Sequence, residues 1–120
     1  MQKNLEISVL LDFYGDALTD KQREVIEFYY NEDLSLAEIA QIEGITRQGV
    51  RDSIKRGESV MNELEEKLGI AARFKKMQSG LSQIMDYARH IDDYNARYGS
   101  SVEVASAAGS IQSIARELLE

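Results

Sequence analysis

The stretch Leu34–Arg56 constrains this chain more than any other: it reads as a helix, a three-residue turn and a second helix. Ser35 followed by Glu38 is a capping box, which satisfies two orphan backbone donors at a helix start. Leu36, Ile39 and Ala40 then form an i, i+3, i+4 apolar stripe. Gly44 falls where that helix must end in a left-handed residue, and Thr46 is a good N-cap for the next. Ile45, apolar within a turn, is expected to pack into the angle between the helices. The second helix turns Val50 and Ile54 inward and leaves Arg47, Gln48, Arg51, Asp52 and Lys55 free. Caps, turn glycine, core spacing and polar face agree on a helix-turn-helix with an exposed recognition helix.

Little elsewhere interrupts helices. Proline is absent and only 8 of the 120 residues are glycine, so an all-α fold is expected. The lack of cysteine excludes disulfides and thiolate metal sites and fits a reducing compartment. No apolar run approaches the length of a membrane span or a signal sequence, and a cytoplasmic location is the expectation. The net charge of −7 argues against broad attraction to nucleic acid. That charge is uneven: from Ile45 to Arg56 the basic residues are Arg47, Arg51, Lys55 and Arg56, and the only acid is Asp52. An acidic body with one basic helix suits a localised phosphate-contacting face.

Before this stretch, Leu5, Val9, Leu10 and Phe13 give a helical period over residues 4–14, closed by Gly15. Thr19 and Gln22 form a second capping box with Leu18 in the staple position. The helix they open should run to about Tyr30, burying Val25, Ile26 and one of Tyr29 or Tyr30. After Arg56, Val50, Ile54, Met61, Leu64 and Leu68 continue one stripe, with Gly57 standing in for a side chain and Gly69 as C-cap. Phe74, Met77, Leu81, Ile84, Ala88, Ile91, Asn95 and Tyr98 then alternate steps of three and four, the mark of a coiled coil or a long bundle helix. Gly80 inside this stretch costs about 1 kcal/mol relative to alanine, which leaves room for a break near Ser79–Gly80. Residues 102–109 look weak, and Ser110 is expected to cap a last helix carrying Ile111, Ile114, Ala115, Leu118 and Leu119 on one side.

The runs Leu11-Asp12-Phe13-Tyr14-Gly15, Leu18-Thr19-Asp20-Lys21-Gln22 and Tyr29 through Ala40 resemble the YlxM family, small helix-turn-helix proteins of Gram-positive bacteria and mycoplasmas. The likeness continues through Thr46-Arg47-Gln48-Gly49-Val50, Ile54-Lys55-Arg56 and Glu65-Glu66-Lys67-Leu68, covering residues 5–70. More loosely, the same segment is similar to region 4 of bacterial sigma factors. Members usually have serine and alanine where this chain has Thr46 and Gly49; the threonine keeps the cap and the glycine weakens the first turn. The resemblance implies a regulatory role tied to the signal recognition particle pathway. It makes the particle's RNA or its GTPase a candidate partner beside promoter DNA.

Arg47, Arg51 and Lys55 lie four apart and stack on one side of their helix. Gln48 and Asp52 sit beside them where base edges are read, and Lys55 and Arg56 are placed for phosphates. Asp52 either accepts from a cytosine amino group or pairs along its own helix with Gln48 or Arg56; the pairing fits better, because the carboxylate repels phosphate. Tyr14, Tyr29 and Tyr30 are read as core with hydroxyls at its edge, not as a base-stacking platform. His90 with Asp86, Asp92 and Asp93 has one imidazole and no cysteine to offer a metal, and an exposed helix pair is the better reading. No phosphate loop, activated nucleophile or carboxylate pair in a cleft is visible, so neither catalysis nor a cofactor is expected.

The expected architecture is therefore an N-terminal helical bundle with a sigma-region-4-like helix-turn-helix over residues 1–69, three-helical like a winged helix without its wing. A long helical extension follows over residues 70–120. That seam folds back on the bundle or pairs with a second copy. It exceeds what short helices can cover, which favours a homodimer and two recognition helices on a two-fold site.

Overall fold

The computed structural model describes residues 3, 4 and 6–120, and among them every element is helical. Leu5, counted above in the first apolar period, lies outside the described residues. The chain divides into two compact units, residues 1–72 and 73–120.

In the first unit, Asn4 caps α1 (Glu6–Tyr14), its Oδ1 accepting the Glu6 N–H at 3.0 Å. Ile7, Leu10, Leu11 and Tyr14 are buried, while Val9 is half exposed. Of the predicted positions, Leu10 is buried and Phe13 packs against the core, while Val9 turns outward and Ile7 and Leu11 take the inward places. Both phases carry apolar residues, and contact with the rest of the bundle decides between them. A 3-10 turn (Gly15–Ala17) leads to α2 (Asp20–Ile26), opened by the predicted reciprocal cap of Thr19 and Gln22. Its last turn widens into a π turn (Glu27–Asn31) that buries Tyr29.

α3 (Leu36–Glu43) and α4 (Arg47–Leu68) are the helix-turn-helix. Ser35 and Glu38 cap each other's backbone, Gly44 takes the left-handed conformation with φ 68°, and Thr46 accepts the Gly49 N–H at 2.9 Å. Ile39, Val50, Ile54 and Met61 meet Val25 and Ile26 in a core where all six are fully enclosed. Burying each such side chain contributes about 1.5–3 kcal/mol. Where α4 crosses α2, a Cβ on Gly57 would overlap the Cδ1 of Ile26, so glycine there permits the approach. Leu68, the predicted end of the stripe, is 49% exposed. Gly69, with φ 62°, ends α4.

A clamp that the sequence did not announce holds the next helix start. The Glu65 carboxylate accepts from the Tyr14 hydroxyl at 2.7 Å and from the N–H groups of Ala71 and Ala72 at 2.9 and 3.0 Å. The Tyr14 oxygen in turn accepts the Ile70 N–H at 3.2 Å. The Tyr14 hydroxyl, ahead of the two amides, holds the Glu65 carboxyl below its ordinary range. One carboxylate thus satisfies orphan donors that a capping side chain would otherwise have to reach.

α5 (Ile70–Tyr94) runs through Ser79–Gly80 without the break that Gly80 left room for. In the second unit it is followed by a π turn (Asn95–Gly99), Ser100 in the left-handed region with φ 54°, and α6 (Val102–Leu119). α6 is one helix of 18 residues, with Ser101 rather than Ser110 as its cap: the Ser101 hydroxyl accepts the Val104 N–H at 3.2 Å. Asn95, 7% exposed, donates to the Ser101 carbonyl at 2.8 Å and accepts the Ser101 N–H at 2.9 Å, fixing the corner.

Of the predicted seam, Leu81, Ala88 and Asn95 lie on the closed side. Phe74, Met77, Ile84, Ile91 and Tyr98 are all exposed. The positions of the second unit withdrawn from solvent are Gly80, Leu81, Met85, Ala88 and Asp92 on α5, Asn95 and Ser101 at the corner, and Ala108, Gln112, Ala115 and Leu119 on α6. In a compact unit of two helices these are the sides that face each other. Asn95 is bonded to Ser101, and steps of seven residues outward bring Ala88 level with Ala108 and Leu81 level with Ala115. The most enclosed of them, Ala88, Ala108 and Ala115, are small.

Candidate nucleic-acid interface

α4 has 22 residues, and its first three turns carry all six residues singled out from the sequence. Val50, Ile54, Gly57 and Met61 fix its rotation by burying one side. At 100° per residue, the side opposite that line holds Gln48, Asp52 and Lys55, which form the outward crest. Arg47 and Arg51 lie on one flank, and Arg56 lies on the other. Of the six, only Arg51 is partly withdrawn from solvent.

The six do not share one surface. Arg47, Gln48 and Arg51 line an open cleft of about 620 Å³ against Tyr29, Ser35 and Glu38, at the start of α3. Asp52 and Arg56 line another, of about 390 Å³, with Thr19, Lys21 and Gln22 at the start of α2. Lys55 stands apart, beside Glu58, Ser59 and Asn62 further along α4. Lys21 was missed in the sequence because it belongs to a different helix, and only the tertiary packing places it near Arg56.

Charge pairing separates the first three turns of α4 from its last, where Lys67 is paired, and from Arg23 and Lys3. Arg23 is tied to Asp16 at 2.5 Å and to Glu27 at 3.0 Å, Lys67 to Glu63 at 3.0 Å, and Lys3 to Asp33. The salt bridges among the described residues include none of Arg47, Arg51, Lys55 or Arg56. The one acid among them is occupied: Gln48 Nε2 donates to Asp52 Oδ1 at 2.9 Å, the first of the two helix pairings expected for it. Four cations without carboxylate partners on one exposed helix can meet phosphates at little desolvation cost.

The tyrosines belong to the core, as read. Tyr14 and Tyr29 are buried, and Tyr30 meets Tyr29 edge-on with ring centres 5.1 Å apart. The Tyr30 hydroxyl bonds Glu58 at 2.5 Å, and burial followed by that carboxylate pushes its pKa up to about 12. This occupies Glu58, the acid nearest the crest along α4. Asp86 pairs with Arg89 at 3.4 Å, not with His90 as the helix spacing suggested. Among the described residues no cluster of three potential metal ligands occurs, and no helix is long and apolar enough to cross a membrane.

Comparison with known proteins agrees with this geometry. A family described as helix-turn-helix protein, YlxM / p13 like, matches residues 1–98. A UPF0122 protein of Acetivibrio thermocellus is 44% identical over 92 residues, covering 77% of this chain and 79% of its own. One of Thermoanaerobacter sp. is 49% identical over 80 residues, covering 67% of this chain and 68% of its own. Another, of Halalkalibacterium halodurans, is 43% identical over 86 residues, covering 72% of this chain and 79% of its own.

Proposed function

The chain belongs to the YlxM / p13-like family of helix-turn-helix proteins, and from the charge pattern on α4 we propose that it is a nucleic-acid-binding regulator. The observation that carries this reading is the set of four cations on α4 that the acidic body leaves without carboxylate partners. Gln48 and the Asp52 it bonds stand on the crest to meet base edges in a major groove. Arg47, Arg51, Lys55 and Arg56 contact phosphates on both flanks. Promoter DNA is the first target. The signal recognition particle's RNA is the second, because the family resemblance ties such proteins to that pathway. Residues 1–69 act as the binding domain of a cytoplasmic, non-enzymatic protein, and residues 70–120 as the extension through which two copies associate.

A protein-interaction role is the competing reading, favoured by the net charge of −7. In it the helix-turn-helix is scaffold, and the acidic surface engages protein components of the particle, its GTPase among them. Gel-shift binding to genomic DNA fragments and to the particle's RNA separates the two. The wild type should bind one of them in a salt-sensitive way. The Arg51→Glu, Lys55→Glu variant, with unchanged circular dichroism, should lose most of that binding. Folded wild type that binds neither nucleic acid would sink the regulatory reading.

A further inference from the structure

Besides the line that joins them, α5 and α6 each carry a second apolar line left open to solvent. On α5, Met77, Ile84 and Ile91 recur every seventh residue and are 58%, 49% and 48% exposed. On α6, Val104, Ile111 and Leu118 recur at the same interval and are 39%, 40% and 61% exposed. Seven residues are close to two turns, so each trio runs as one stripe along its helix. The two stripes stand at the same rotation from the closed lines. Ile84 and Ile91 each precede a withdrawn residue, Met85 and Asp92, as Ile111 and Leu118 precede Gln112 and Leu119. In an antiparallel hairpin equal rotations fall on the same face, so the two stripes form one continuous apolar surface.

The edges of that surface are charged with opposite sign. Lys76 lies one residue before Met77 on the outer edge of α5, and Arg97 stands in the π turn that continues the helix. Glu103 and Glu117 hold the equivalent places on α6, one residue before Val104 and Leu118. All four are exposed.

We propose that this face is the interface of a homodimer in which α5 of one protomer lies over α6 of its partner. A two-helix face can meet its own copy in two ways. α5 over α5 sets basic edge against basic edge. α5 over α6 sets each basic edge against an acidic one. Counting outward from the Asn95–Ser101 corner, Lys76 comes level with the last turn of α6, where Glu117 stands, and Arg97 with its first, where Glu103 stands. The face is about 27 Å long at 1.5 Å per residue and about 20 Å across two helices. Two such faces cover roughly 1,000 Å², the lower edge of a specific interface, where weak complexes are found. This inference rests on the homodimer element of the reading above and not on its nucleic-acid element.

Sedimentation of the full chain without nucleic acid tests it, so the outcome is independent of the gel shift. The wild type should form dimers with a micromolar Kd. The Ile84→Glu, Ile91→Glu variant should remain monomeric at roughly 100 times that Kd with unchanged helicity. Arg97→Glu alone should weaken association by about threefold to tenfold. An equimolar mixture of Arg97→Glu and Glu103→Arg chains should associate more tightly than either variant alone, because each contact then joins opposite charges. A wild type monomeric throughout, or a dimer indifferent to Ile84 and Ile91, would overturn the proposal. So would Arg97→Glu strengthening the dimer, the result that α5 over α5 requires. If the isoleucine variant loses helicity, the exposed edge substitutions still decide.

Discussion

The two units are built from the same helical periodicity and end in opposite conditions. In the first, Ile7, Val25, Ile26, Ile39, Val50, Ile54 and Met61 are all enclosed. In the second, the enclosed side chains are Ala88, Ala108, Ala115 and Asn95, while its isoleucines stay open to solvent. Four helices converging from different directions can cover a large branched side chain on every side. Two helices lying together offer a single narrow contact, which small residues fill. A large apolar residue therefore marks the core of the first unit and an uncovered surface of the second.

The comparison can be broken first at its strongest point. Ile54→Ala should destabilise the first unit by about 2–5 kcal/mol. Ile91→Ala in dilute monomer should change folding stability by less than about 0.5 kcal/mol. Chemical denaturation of both variants checks the pair, and equal losses would contradict the contrast. Removing the enclosed amide of the second unit comes next. Asn95→Ala leaves the Ser101 N–H and carbonyl without their partner, at a cost of about 1–3 kcal/mol. Hydrogen exchange should show α6 losing protection while α3 and α4 keep theirs.

Gly57→Ala should destabilise by about 1–2 kcal/mol net, read as a lowered urea midpoint. The crowding of Ile26 outweighs the better helix propensity of alanine. Thr46→Ala should cost about 1 kcal/mol by removing the cap of the recognition helix. The smallest effect is on pH dependence. The Glu65 carboxyl titrates below its ordinary range in the folded protein, chiefly through the Tyr14 hydroxyl. Its contribution is therefore present above the unfolded pKa and is lost as pH falls through the folded one. Glu65→Gln should flatten the acid limb of a Tm-against-pH curve for the first unit and leave neutral-pH helicity intact.

The same contrast explains what could be read from the chain alone. The helix-turn-helix was legible because its signals are local: Ser35 with Glu38, Gly44, Thr46 and the Val50–Ile54 spacing each act within a few residues. The six candidate contact residues followed from that, since burying Val50 and Ile54 leaves only one side of α4 outward. The clamp through Glu65 was not legible, because Tyr14 lies 51 residues away and only the fold brings it near. The closed line of α5 was legible only in part: Leu81, Ala88 and Asn95 belong to it, but it also takes in Met85 and Asp92 and passes Ile84 and Ile91. Equating apolar with inward takes in the exposed neighbouring stripe as well. Ser101 and Ser110 are equally good caps in sequence, and the corner held by Asn95 selects the first.

The salt dependence of binding to the fragment that wild type retains tests the central claim most directly. If Arg47, Arg51, Lys55 and Arg56 displace counterions from phosphates, log K should fall steeply and linearly with log salt. The Arg51→Glu, Lys55→Glu variant should then bind weakly, with a slope shallower by about two. A wild-type affinity that does not respond to salt, or a slope that the charge reversal leaves unchanged, would mean that α4 is not the surface that meets nucleic acid.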